Sequence, residues 1–108
     1  MTTQDQLILL IEEAEAIAGG LRPLARLLEM NPSNLIAMKK GERPCNWRTR
    51  GAMRVVLGEE PTHAFMAAMA EDLAQSENPD EKKAADGFET MMAAFPDAWR
   101  KRRDSNPR

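Results

Sequence analysis

The sequence predicts an all-α chain, a bundle of four helices followed by a C-terminal helical hairpin. Two observations predict it. Apolar residues recur at three- and four-residue spacing through most of the 108 residues, the period of a helix with one buried face. The periodic stretches are separated by residues that stop or start helices: Gly19-Gly20, Asn31-Pro32, Gly41, Gly58, Ser76 to Asp80 and Pro96-Asp97.

Helix by helix, Thr3 followed by Gln6 is a capping-box signature, and Leu7, Leu10, Ile11, Ala14, Ile17 and Ala18 form one face of the first helix, which should end at Gly19-Gly20. Ile8 and Leu9 widen that face, predicting either a locally broad core or a second contact, within the chain or with a partner subunit. From Pro23 to Gly41 two short apolar-striped helices are joined by a tight polar turn, the layout of a helix-turn-helix. Leu24, Ala25, Leu27 and Leu28 mark the first, and Leu35 and Met38 the second. Ala25 is small where the two must approach closely. Asn31 can cap the second helix by accepting a backbone N–H, and Pro32 at its first position gives up no hydrogen bond.

A loop from Glu42 to Asn46 leads to a fourth helix, Trp47 to Leu57, closed by Gly58. Trp47, Met53, Val56 and Leu57 are placed to cover the open end of the core, with Gly51 making room for the indole and Arg48, Arg50 and Arg54 facing outward. Pro61 opens a stretch rich in Ala and Met: Thr62 to Ala74 carries Phe65, Met66, Met69, Ala70 and Leu73 on one face, and Glu81 to Phe95 carries Ala84, Phe88, Met91, Met92 and Phe95. A hairpin of two such helices cannot bury both apolar faces alone, so it must pack on the preceding head or on another subunit. The chain thus divides into a head (residues 1–60), a hairpin (61–99) and a basic tail (100–108), the tail with five basic residues and one acid and expected to be disordered.

Within this frame the segment from about Gly19 to Gly58 resembles the Cro/repressor (Xre-like) family of phage and bacterial DNA-binding domains. Leu24-Ala25-Arg26-Leu27-Leu28, Met30, Leu35, Met38 and Gly41 match in register without a gap, and Glu42-Arg43-Pro44 looks like the G-x-R-P exit from that family's recognition helix. The resemblance implies a repressor-like helix-turn-helix bundle, with Gln6 to Ala18 as its first helix. Leu21 departs from the phosphate-binding Gln often found there. Glu29 replaces the usual turn Gly, so a non-glycine residue is asked to adopt positive φ.

Composition agrees with a globular chain, 43% hydrophobic and 30% charged, and nothing resembles a secretory signal or a membrane span; a cytoplasmic protein is expected. One cysteine, Cys45, and one histidine, His63, give no support to a disulfide, a zinc cluster or another metal site. No cofactor is called for. A net charge of −2 conceals a split. Gly20 to Arg54 holds eight basic residues against Glu29 and Glu42, a local charge of +6, whereas Pro61 to Trp99 holds Lys82 and Lys83 against eight acids, or −6. A basic head joined to a segment kept off phosphates fits a DNA-facing module.

A recognition helix enters the major groove N-terminus first, so Pro32, Ser33, Asn34 and Ala37 are aimed at base edges. Asn34 can donate to and accept from one adenine at once, although it could instead cap the helix start; Ser33 suits either kind of edge, and Ala37 a thymine methyl. By the family resemblance Arg43 reaches a base or a phosphate from the loop. Arg22, Lys39, Lys40, Asn46 and Arg48 are suited to phosphates, which position the helix without carrying sequence information. Phe65, Met69, Phe88, Met92 and Phe95 are the expected dimer or partner surface. A head ended at Gly58 should fold if self-sufficient, but as a monomer.

An enzyme is not expected: there is no Cys/His pair beside a base, no Gly-rich phosphate loop, no H-E-x-x-H and no tyrosine. The sequence instead points to a transcriptional regulator, a repressor above all, binding near-palindromic double-stranded DNA as a homodimer. Two alternatives stand beside it. One is an antitoxin-like module whose hairpin grips a protein partner while the head autoregulates its operon. The other is a ligand-sensing regulator with a pocket among Phe65, Met69, Phe88 and Met92.

Overall fold

The computed structural model describes residues 3–102, and within them the chain is all-helical. Six α-helices follow in order: α1 (Gln4–Ala18), α2 (Leu21–Leu27), α3 (Pro32–Lys39), α4 (Trp47–Val56), α5 (Pro61–Gln75) and α6 (Pro79–Ala93), with a final 3-10 turn at Asp97–Arg100. No described helix is long and apolar enough to cross a membrane.

Side-chain caps set most of the boundaries. Thr3 Oγ1 accepts from the Gln6 N–H while Gln6 Oε1 accepts from the Thr3 N–H, a complete capping box. Asn31, Asn46, Glu60 and Asn78 cap α3, α4, α5 and α6 by accepting backbone N–H groups, and Pro32, Pro61 and Pro79 take the first helical position of three of these helices. The turn after α2 closes through Glu29 N–H to Arg26 O (3.1 Å) and Met30 N–H to Ala25 O (2.9 Å), with Glu29 at φ 56°. This is a Schellman ending, with glutamate in the left-handed position that glycine usually fills.

One cluster forms the core of the first four helices: Leu7, Ile11 and Ala14 from α1, Leu24 and Ala25 from α2, Leu35 and Met38 from α3, and Met53 and Leu57 at α4. Leu27, expected on this stripe, is 61% exposed. Leu24, Ala25 and Leu28 already define the inner arc of α2, and at 3.6 residues per turn Leu27 falls about 100° from its centre.

The hairpin lies against the head, with α5 packed along α4 on one side and α6 on the other; among the described helices α6 touches α5 alone. Because α5 is sandwiched, its buried positions are mostly small: Ala64, Ala68 and Ala70 with His63, rather than the larger residues the periodicity singled out. On α6 the buried positions are Ala85 and Met92, while Ala84 and Met91 face out. A single neighbour covers only a narrow stripe. Gly51 makes room for Phe65 of α5, not for Trp47: a Cβ there would stand 2.8 Å from Phe65 Cε1.

The expected disordered tail is corrected at its start. Trp99 stacks on Phe95, ring centres 4.8 Å apart, and its carbonyl accepts the Glu60 N–H. Arg100 donates to Met92 O at 3.0 Å and Arg102 to Glu59 Oε2 at 2.7 Å, strapping this segment across the start of α5. The remainder of the tail, residues 103–108, lies outside the described residues.

Candidate nucleic-acid interface

The candidate site is built on α3. Asn31 Oδ1 accepts from the Ser33 N–H and hydroxyl, fixing the start of the helix. At its other end Gln4 Nε2 donates to the carbonyls of Met38 and Lys39, each at 3.0 Å, so α1 holds the last turn of α3. Leu35 and Met38 face inward. The outward face therefore presents Ser33, Ile36 and Lys40, all exposed, with Pro32, Asn34 and Ala37 half-buried beside them. Capping belongs to Asn31; among the described residues the Asn34 amide side chain makes no hydrogen bond and is left to its surroundings. Ile36, 40% exposed, was not singled out from the sequence. The signal was its place three residues after Ser33 and four before Lys40, opposite the Leu35 and Met38 side.

The eight cations of the Gly20 to Arg54 stretch divide into two groups. Lys39 is paired with Glu15 of α1 at 2.9 Å, which draws its ammonium away from the expected phosphate role. Arg50, expected to face outward, is buried: it donates to Cys45 O, to Ala68 O and to Asp72 of α5. Arg54 bridges Glu59 and Glu71, at 3.1 Å to each. Arg22, Arg26, Lys40, Arg43 and Arg48 remain exposed and form no ion pair among the described residues. Arg22 and Arg26 are one turn apart on α2, Lys40 closes α3, and Arg43 sits on the loop that follows. Arg48 lies over the Trp47 ring at 5.4 Å, and Asn46, expected at a phosphate, accepts the Thr49 N–H as the cap of α4 while its amide N–H₂ points to no described partner.

Arg50 is the positioning group that sequence reasoning missed. It ties the loop carrying Arg43 to α4 and α5 through the Cys45 carbonyl. Burial pushes the Cys45 thiol up to about 11, with Asp72 adding to the rise and the Arg50 charge only partly opposing it, so the thiol stays protonated at neutral pH.

A buried polar cluster, not among the sequence expectations, lies at the α4–α5 junction. Glu59, 3% exposed, accepts from Arg54 Nε (3.1 Å) and Arg102 Nε (2.7 Å) and lies 2.9 Å from His63 Nδ1. The four-residue spacing of Glu59 and His63 was the one available hint.

The expected partner surface is narrowed. Met92 is 5% exposed and lines a polar cavity of about 550 Å³ with Arg54, Glu59 and His63, while Phe95 is half-buried against His63 and Trp99. Phe65, Met69 and Phe88 do line a common apolar cleft of about 390 Å³ with Pro61 and Met66. Of the residues expected to line one pocket, Phe65, Met69 and Phe88 share this cleft, and Met92 lines the polar cavity. A second apolar groove, about 520 Å³, joins Leu27, Leu28, Val55, Val56 and Phe65 across α2, α4 and α5. Among the described residues no three His, Cys, Asp or Glu side chains are gathered as metal ligands.

The chain matches no protein-family model, no curated protein and no solved structure.

Proposed function

We propose that the chain is a sequence-specific DNA-binding transcriptional regulator, a repressor above all, in which α2 and α3 act as a repressor-type helix-turn-helix and α3 enters the major groove. One observation carries it: a short, doubly anchored helix presents an outward stripe of Ser33, Ile36 and Lys40, and five cations without ion pairs among the described residues lie on it, on α2, on the following loop and at the start of α4. Asn34 and Ser33 meet base edges; Arg22, Lys40 and Arg43 hold the backbone and register. Two heads on successive major grooves, about 34 Å apart, give useful specificity, so a homodimer is part of the proposal.

The test separates base reading from phosphate holding. Asn34→Ala should lower affinity for a selected operator by about 1–3 kcal/mol and barely change binding to random DNA, whereas Lys40→Ala should weaken both alike and reduce the salt slope by about one charge. Equal losses on both DNAs for Asn34→Ala would remove it from the reading set. Absence of DNA binding by the unaltered chain would end the proposal.

The open apolar groove from Leu27 to Phe65 favours a second reading, an antitoxin-like or other module that binds a protein. Co-purification of a stoichiometric small protein, released by a charged substitution in this groove, would decide for it.

A further inference from the structure

We infer that Ile36 is a specificity-determining residue that reads the C5 methyl group of a thymine, or of another C5-methylated pyrimidine, in the major groove. The inference rests on the proposed entry of α3 into DNA and names what that helix selects.

Three observations lead to it. Ile36 is 40% exposed on a helix whose inward side is already filled by Leu35 and Met38, so burial within the chain does not account for its side chain. It sits between Ser33 and Lys40 on the outward face, one turn on from the N-terminal residues that the proposed groove entry brings to the base edges and one turn before a cation suited to the backbone. Its backbone is fixed at both ends, by the Asn31 cap and by Gln4 on the Met38 and Lys39 carbonyls.

The chemistry then selects the base. A β-branched side chain in a helix holds essentially one χ1 rotamer, so its methyl groups arrive at a defined place. They neither donate nor accept. Against guanine O6 and N7, adenine N6 or cytosine N4 they would strip water from a polar edge and return nothing, whereas the thymine methyl is the one apolar feature of the major-groove edge. Ala37, half-buried and shorter, reaches less far toward the same groove.

The experiment uses the full chain. Duplexes are enriched from a random pool, and each thymine of the enriched site is then replaced in turn by deoxyuridine, which removes only the methyl group. One position should lose about fourfold or more in affinity with the unaltered protein, from burial of roughly one methyl group, and less than about twofold with Ile36→Ala. Ile36→Ala should itself bind the thymine site about fourfold more weakly, while it remains folded with a cooperative thermal transition, since Ile36 lies outside the buried core. Tolerance of every deoxyuridine by the unaltered protein, or an equal loss in Ile36→Ala, would overturn the assignment and leave DNA reading intact. Failure to enrich any sequence would instead overturn DNA reading, and the Ile36 assignment with it.

Discussion

Replacing Gly51 by alanine measures how closely α4 is pressed against α5. In an open helix interior the change would stabilise the protein by about 0.8–1.0 kcal/mol, because alanine restricts the unfolded chain and favours the helix. At this position an added Cβ would lie 2.8 Å from Phe65 Cε1, 3.1 Å from Cγ and closer still to Cδ1. Cγ and Cδ1 adjoin the stem of the ring rather than its far end, so the whole side chain must shift, and Trp47 stands edge-on to it with ring centres 6.4 Å apart. Overpacking of this kind costs about 1–3 kcal/mol, leaving Gly51→Ala less stable by up to about 2 kcal/mol in urea unfolding. The sign should reverse when the ring is gone. In a Phe65→Ala background the same substitution should stabilise by about 0.8–1.0 kcal/mol, giving a coupling of about 1–3 kcal/mol in a double-mutant cycle. Equal effects in both backgrounds would refute the close approach and return Gly51 to the role of making room for the Trp47 indole.

Three further outcomes are expected. Glu29→Gly should raise stability by about 0.5–1 kcal/mol in thermal unfolding, since glycine relieves the left-handed strain at φ 56° and only part of that gain is offset by its freer unfolded chain. Burial alone would raise the Glu59 carboxyl, but the Arg102 hydrogen bond and the Arg54 charge outweigh it and hold the group below the ordinary glutamate value. A depressed value means stability that is present above the unfolded-chain pKa and lost as pH falls through the folded one; the urea midpoint should therefore drop below about pH 4.3, and Glu59→Gln should flatten that drop. At pH 8 the Cys45 thiol, raised to about 11, should be alkylated far more slowly in the folded protein than in urea, and a rate equal to that of a free thiol would contradict its burial.

Helix starts and stops were legible because they depend on single residues with local mechanisms: Thr3 with Gln6, Asn31 with Pro32, and the positive φ demanded of Glu29. The core of the first four helices was legible for a similar reason, since Leu7, Ile11, Leu24, Leu35 and Met53 repeat at helical spacing. The helix-to-helix pairing of the second half was not. Periodicity marks the most apolar face of a helix, but α5 has neighbours on two sides and buries its alanines between them, leaving Phe65, Met66 and Met69 at the margins. The strap from Asp97 to Arg102 has no apolar period at all. Its position depends on single contacts to Met92, Glu59 and Glu60 that no spacing rule encodes.

The charge split shows how the same residues can carry a different meaning once folded. Read along the chain, +6 before Arg54 and −6 after Pro61 look like two segments with separate tasks. In the folded chain part of that opposition is an attachment: Asp72 and Glu71 of α5 reach Arg50 and Arg54 of α4. Arg50 in turn donates to the Cys45 carbonyl, two residues after Arg43. The hairpin is thus connected to the loop after α3 through a buried guanidinium whose Nε has no hydrogen-bond partner among the described residues, so its remaining donors have little redundancy. A chain ended at Gly58 would lack both Ala68 O and Asp72, and leaving a buried charge without its partners is strongly destabilising. Self-sufficiency of the head therefore depends on whether Arg50 can turn out to water when α5 is absent, and that movement would release the Cys45 carbonyl and the Arg43 loop together.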